Sequence, residues 1–356
     1  MPWRVEAITP EWLTARVCSE HEGARVESID VRGKGDMGST VHRWLTVRYN
    51  DAGRRAGLPE AMFVKSTPTV LSRLASGGRV VTQEYTFFSV ARPELDIETP
   101  TLLVSAIDNV SGRSIQIFDD LVATKGVEFY HRDTVVTRTA AEGMVDTLAA
   151  YHRAFWDSPR FADDLSALPR HGGFLEFGKR VGMVDSHNEA MHKAADVIPP
   201  GVFAKRDRIW ADAEQTMSFH TDGPRTLLHG DMHLGNWYET RDHVIGLADW
   251  QNTCTGSWAF DFAYTVSTTL DVEDRRAWEK DLLSRYLENL RQDLSVDTAW
   301  EMYRRALNVP LLLWTPTLVP SPVFPDMQSE EMSMLMIQRI STAMDDLGTL
   351  EEGGHA

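Results

Sequence analysis

Apolar and polar residues change rhythm about a third of the way along this chain of 356 residues. In the first part, the runs Val26 to Val31, Val41 to Tyr49 and Ala61 to Ser66 alternate or are rich in β-branched residues, which predicts three strands. Asn50-Asp51-Ala52-Gly53 supplies a turn between the second and third. Ahead of them, Thr9-Pro10-Glu11 joins a capping hydroxyl, a proline at the first helical position and an acid in the first turn. A helix starts there, with Leu13 and Val17 on its inner face. Another helix is expected over Val80 to Ala91, and Ser114 to Phe118 reads as a strand ending at Asp119-Asp120. Together these make a small α+β lobe.

From about Thr134 the pattern is helical. Met144, Val145, Leu148, His152 and Phe155 fall on one face at three- and four-residue spacing, and Trp278, Leu282 and Tyr286 recur every four residues within Arg275 to Leu290. Asp297 is expected to cap a helix carrying Trp300, which Pro310 should end or kink. A last helix is expected from Ser329 to about Asp346. The stretch Leu227 to Trp250 breaks this rhythm and reads as loop with short strands. The length exceeds what one core usually supports, so two lobes are expected.

Composition narrows the function classes. A net charge of −16 leaves no basic footprint for nucleic acid, and mildly favours a cationic or neutral ligand over a polyanion. Cys18 and Cys254 are too few and too distant for a disulfide framework. The N-terminal stretch has no apolar signal-like region. The longest apolar run, Val309 to Trp314, is too short to span a bilayer and contains Pro310. The expectation is a soluble cytoplasmic protein with no membrane insertion, a monomer by default.

The chemistry concentrates in LLHGDMHLGNWYETRDHVIGLADW, residues 227–250. Asp231 is followed five residues later by Asn236 and thirteen after that by Asp249. One carboxylate to accept a hydroxyl proton and two oxygen ligands for Mg²⁺ are the minimum that ATP-dependent phosphoryl transfer needs. Asp231 and Asp249 each follow an apolar strand, which places both at strand ends. Each alone could be a turn or cap residue; three at these spacings point to catalysis.

Upstream, Gly33-Lys34-Gly35-Asp36-Met37-Gly38 fits G-x-G-x-x-G. A dinucleotide fingerprint must open a helix, whereas Ser39 to Val47 reads as a strand, so a glycine turn over phosphates or an ordinary hairpin fits better than an oxidoreductase. Lys65 ends an apolar strand, and Glu84 lies nineteen residues on, upon the expected helix. Either residue could be an ordinary surface group; in this order they suit a pair gripping the α- and β-phosphates.

His229 and His233 could be zinc ligands four residues apart, but Gly230 and Gly235 interrupt the helix such a site needs. Bonds to loop backbone are the expected role. Asp261 reads as a helix cap that also braces the catalytic loop. Trp237, Trp250 and Trp258, and the methionines 332, 334, 336 and 344, are expected in the core rather than on a ligand.

Taken in order, HGDMHLGN, LADWQ and GSWAFDFAY resemble the aminoglycoside phosphotransferase/choline kinase family, with the wording after Asp249 similar to its ecdysteroid-kinase-like branch. The resemblance covers Gly33 to about Leu290. It implies an α+β, two-lobed protein-kinase-like fold: residues 1–121 as an ATP-binding lobe ending in a hinge, and 122–356 as a mainly helical lobe for catalysis and acceptor binding. It also implies Asp231 as catalytic base, Asn236 and Asp249 as Mg²⁺ ligands, and Lys65 with Glu84 on the ATP phosphates beneath Gly33, Gly35 and Gly38. The hinge falls at Ile117 to Leu121, where backbone groups near Phe118, Asp119 and Asp120 would bond adenine, while His229 and Asp261 support the site. Gly230 stands where a protein kinase has arginine, Trp250-Gln251 replaces Phe-Gly, and no A-P-E follows. These departures favour a small-molecule alcohol over a protein as the acceptor. The resemblance leaves open a metabolite, a xenobiotic or an antibiotic, and the apolar Leu311 to Trp314 stretch with the methionine-rich last helix favours a metabolic or xenobiotic alcohol over an aminoglycoside. The alternative, a catalytically idle nucleotide-binding relative, would lack the base or a metal ligand, and this chain keeps every element.

Overall fold

The computed structural model describes residues 1–37, 40–67, 80–108, 110–221, 223–322 and 324–351. Its N-terminal part is a five-stranded antiparallel sheet: β1 Val26–Met37, β2 Thr40–Tyr49, β3 Ala61–Ser66, β4 Leu102–Asp108 and β5 Arg113–Asp119. The spatial order is β1-β2-β3-β5-β4. Alternate residues of the strands, among them Leu45, Val47, Met62, Val64, Ile115 and Ile117, pack with Leu13 of α1 (Pro10–Val17) into one small core. Thr9 caps α1 by accepting from the Trp12 N–H.

Four local differences from the sequence expectations stand out. β1 runs past Val31 through the glycines to Met37, with a register shift between Arg32 and Gly35. Gly33 adopts φ +93° there, and a Cβ on it would lie 2.7 Å from the Trp44 ring. Asn50 does not open a simple turn: it caps the short helix α2 (Asp51–Arg55), accepting from the Gly53 N–H. The strand β4 was not expected. The segment Val80 to Ala91 is helical as expected, but only α3 (Val80–Thr86) keeps α pitch before a π-helical turn over Phe87–Ala91.

The larger part is helical and has its own core. After α4 (Leu121–Lys125), α5 (Arg138–Ala154) packs along α11 (Val272–Leu290). Between them in sequence lie α6 (Gly173–Arg180), α7 (Met183–Lys193), α8 (Pro200–Ala204), α9 (Ile209–Thr221) and α10 (Trp258–Thr269). Every residue of α10 is buried, which suits a segment of apolar and hydroxyl side chains with a single acid. Then follow α12 (Val296–Ala306), α13 (Asn308–Leu318) and α14 (Glu330–Asp346), the last capped by Ser329 as expected.

Ser295, not Asp297, caps α12, because Asp297 already lies inside its first turn. Pro310 marks the end of that helix as expected: α12 stops at Ala306, the residue whose carbonyl a proline four positions on cannot bond. The proline itself sits in the first turn of α13, where a missing N–H breaks no intrahelical bond. Five short strands hold the loop region: β6 Glu128–Phe129, β8 Trp237–Glu239 and β9 Ile245–Leu247 form one ribbon, and β7 Thr226–Leu228 pairs with β10 Cys254–Gly256. Trp237, Trp250 and Trp258 are fully buried, so core packing is their role. Met336 and Met344 are buried as well, with Met332 and Met334 packed against that core. Among the described residues, no helix is long and apolar enough to cross a membrane.

Candidate active site

A cleft of about 390 Å³ lies where the sheet meets the helical part, with Lys65, Phe118, Asn236 and Asp249 among its walls. Lys65 projects from the end of β3. Its Nζ donates to Glu84 Oε1 at 2.9 Å and to Asp249 Oδ1 at 2.6 Å. Burial alone would depress this ammonium, but the charges of Asp249 and Glu84 outweigh it and hold its pKa above the ordinary lysine value. Burial pushes Glu84 up, against the pull of Lys65. Asp249 is lowered: burial opposes ionisation there, and the Lys65 ammonium overcomes it. Asp249 is the more open of the two carboxylates, with 28% of its side chain exposed toward the cleft.

The turn carrying Asp249 is tightly held. Asp249 has φ +63°, a left-handed conformation that aspartate tolerates better than most residues. Trp250 stacks face to face on Phe87 at 3.6 Å, and its indole N–H donates to the Leu247 carbonyl at 3.0 Å. Gln83 Nε2 donates to the Thr253 carbonyl at 2.8 Å. The helix that bears Glu84 is thus tied on both sides to the segment that bears Asp249.

The loop after β7 is organised from beneath by Asp261, which is 1% exposed. Its Oδ2 accepts from the His229 N–H at 2.7 Å and from the Tyr151 hydroxyl at 2.6 Å, while Oδ1 accepts from the Gly230 N–H at 3.0 Å. Burial disfavours its charge, but His152, His229 and Tyr151 more than compensate, and its pKa lies below the ordinary carboxylate value. Gly230 has φ +81°, and a Cβ there would meet the Asn252 carbonyl at 2.6 Å. An arginine cannot occupy this position in this backbone. His229 Nε2 donates to the Ala248 carbonyl at 2.9 Å and Nδ1 accepts the Asp231 N–H at 3.2 Å, so this ring spans the two halves of the motif. His233 Nδ1 accepts from the Gly235 N–H at 3.1 Å. Both imidazoles therefore serve loop backbone, and among the described residues no group of three candidate ligands gathers around a zinc-like position.

Asp231 is 23% exposed and sits just beyond the cleft wall rather than in it. Asn236 connects the two places, its Nδ2 donating to the Asp231 carbonyl at 2.8 Å while the residue lines the cleft. The Asp231 carboxylate itself receives Asn252 Nδ2 on Oδ2 and the Tyr264 hydroxyl on Oδ1, each at 3.1 Å. Neither Asn252 nor Tyr264 was expected from the sequence, nor were Tyr151, His152 and Gln83. Tyr264 had one legible signal: it follows Asp261 by three residues on an apolar helix, so both share a face.

At the other end of the cleft, Phe118, Asp119, Asp120 and Leu121 form the wall. Ile117 does not reach it; this side chain is fully buried in the small core beneath the sheet. The N–H groups of Asp119 and Asp120 are spent on the carbonyls of Thr101 and Ala61, and Asp120 caps α4. The first N–H of α4, that of Leu121, has no partner among the described residues. Gly33 and Gly35 belong to the β1–β2 hairpin, and Gly38 lies outside the described residues.

A β-rich lobe over a helical lobe, with a braced loop at the seam, is the architecture of protein-kinase-like phosphotransferases. The model of the phosphotransferase enzyme family matches residues 67–301, and the chain belongs to that family. Among solved structures it is similar to a putative aminoglycoside phosphotransferase from Ralstonia eutropha, at 12% identity and TM-score 0.54, covering 95% of this chain and 98% of that one. It is similar to the spectinomycin phosphotransferase solved with ADP and spectinomycin, at 11% identity and TM-score 0.52, covering 96% and 99%. The Plasmodium vivax ethanolamine kinase matches at 10% identity and TM-score 0.52, over 88% of this chain and 81% of that one. At such identities these likenesses concern the fold. No curated protein sequence matches the chain.

Proposed function

We propose that this phosphotransferase is an ATP-dependent kinase that moves the γ-phosphate to a hydroxyl of a small metabolite or xenobiotic. The carrying observation is the bridge from Lys65 to Glu84 and Asp249, which joins three distant parts of the chain at the cleft that Asn236 also lines. In this reading residues 1–121 form the nucleotide lobe and 122–356 the catalytic lobe. Lys65 grips the α- and β-phosphates, Glu84 holds Lys65, and the hairpin with Gly33 and Gly35 covers the phosphates. The base bonds to backbone around Phe118 to Leu121, where the Leu121 N–H is the donor left for it.

The donor set suits Mg²⁺. Asn236 has committed its Nδ2 to the Asp231 carbonyl, which leaves its Oδ1 for the cleft, and Asp249 adds a charged oxygen. Hard oxygens in small number are what this ion takes from protein. Bound by Asn236 and Asp249, it would neutralise charge on the phosphate oxygens. The chain's own part is to aim the acceptor. The acceptor oxygen bonds to the γ-phosphorus as the bond to the β–γ bridging oxygen breaks, ADP leaves with that electron pair, and the hydroxyl proton passes to Asp231 and then to solvent. The helix α13, which packs on α10 and brings Trp314 edge-on to His233 beside Asp231, carries no charged residue. This favours a neutral or apolar alcohol over an aminoglycoside.

The test is ADP release from MgATP, with and without a library of hydroxylated compounds, with GTP run in parallel because a solved relative is a GDP and kanamycin complex. Stimulation by an alcohol, lost in Asp231→Ala, supports the reading. Nucleotide binding without turnover under any acceptor would support the idle relative instead.

A further inference from the structure

Both oxygens of the Asp231 carboxylate are held from outside its own loop. Asn252 reaches one across 21 residues of sequence and Tyr264 the other across 33. Tyr264 stands on α10 three residues beyond Asp261, so one buried helix fixes the loop's backbone through the acid and the reacting carboxylate through the phenol. The tyrosine is 5% exposed, which leaves its ring no other place to lie. His233 Nε2, also near Oδ1, is 3.9 Å away and beyond hydrogen-bond reach. Burial, with the Asp231 charge behind it, raises the phenol's pKa well above its ordinary value. Tyr264 is therefore a donor at every physiological pH and no rival base.

We propose that Tyr264 is a positioning residue of phosphoryl transfer: its hydroxyl, with the Asn252 amide opposite, fixes the rotamer of Asp231 so that the remaining lone pairs face the acceptor hydroxyl. The inference rests on the reading of Asp231 as the base. Two effects of the phenol pull in opposite directions. A hydrogen bond to the carboxylate weakens it as a base, so mere tuning of basicity predicts equal or faster turnover without the hydroxyl. Positioning predicts the reverse, because a displacement near 1 Å costs on the order of a hundredfold in rate.

The experiment compares wild type, Tyr264→Phe, Asp231→Asn and the double variant, using MgATP with water as acceptor and ADP release as the readout. Melting temperature and the KM for ATP are recorded for each. The expected result is a fall in kcat of about 10- to 100-fold for Tyr264→Phe with KM for ATP unchanged, and no further loss when it is added to Asp231→Asn. Asn252→Ala, which removes the other donor without touching the α10 core, is expected to behave likewise and serves if the phenylalanine variant does not fold. Unchanged or faster turnover by folded Tyr264→Phe, or losses that multiply in the double variant, overturns the proposal alone. An Asp231→Asn enzyme as active as wild type overturns the base assignment, and the positioning role with it.

Discussion

Replacing Asp261 by asparagine keeps the shape of the side chain and removes what the loop leading to Asp231 stands on. Three donors converge on this carboxylate: the His229 and Gly230 N–H groups and the Tyr151 hydroxyl. An amide offers one oxygen and one NH₂, so at least one backbone N–H faces another donor in a site that is 1% exposed. A buried donor left without an acceptor costs about 1–3 kcal/mol, and the loss of charge assistance at the others adds about 1 kcal/mol. Relief from burying a charge returns part of this, for a net loss of about 2–3 kcal/mol. For a chain of this size that is a drop in melting temperature of roughly 3–4 °C.

The pH dependence has a definite sign. The folded-state pKa of Asp261 is depressed, so its contribution is fully present above the unfolded carboxylate value of about 3.9 and is lost as pH falls through the folded value. The gap between wild type and Asp261→Asn should therefore stay constant from pH 8 down to about 4 and narrow only below that. Scanning fluorimetry across that range measures it, with ADP release as a second readout. A variant that melts within a degree of wild type and turns over normally would refute the brace.

Three further outcomes are expected. Asp231→Ala should bind MgATP nearly as wild type does, by calorimetry, while steady-state turnover falls by several orders of magnitude. Because the Lys65 ammonium bonds Asp249 Oδ1, Lys65→Met leaves that buried carboxylate without its cation and should weaken MgATP binding by about tenfold or more in calorimetry. Gly230→Ala combines an unfavourable φ of +81° with a Cβ 2.6 Å from the Asn252 carbonyl, and should lower stability by about 1–3 kcal/mol in urea denaturation while loosening the loop.

Features settled by neighbouring residues were readable in the sequence. Thr9 and Ser329 cap their helices, and β3 ends at the residues expected, because each signal lies within a few positions of its effect. Asp231, Asn236 and Asp249 were read from the spacing of their oxygens, and two of them, Asn236 and Asp249, lie together on the cleft. The strand β4 escaped because only Val104 among its residues is buried, so its sequence does not alternate. Asp297 failed as a cap because Ser295, two residues earlier, offers a hydroxyl to the Thr298 N–H. Asn252 could not be read as a partner of Asp231, and Tyr264 had only its shared face with Asp261 to announce it, since both contacts exist only once the chain is packed around the loop. Ile117 was carried to the cleft by its place beside Phe118, but strand alternation turns it to the opposite face.

The stacked rings of Phe87 and Trp250 have a mechanical consequence. Phe87 opens the π-helical turn that continues the helix of Glu84, and both rings belong to the large helical core, so this helix is fastened to that core even though it follows β3 in sequence. Lys65 travels with the sheet. A change in the angle between sheet and helical core would therefore register as a change in the Lys65–Glu84 separation, which makes that ion pair a gauge of how far the two halves stand apart.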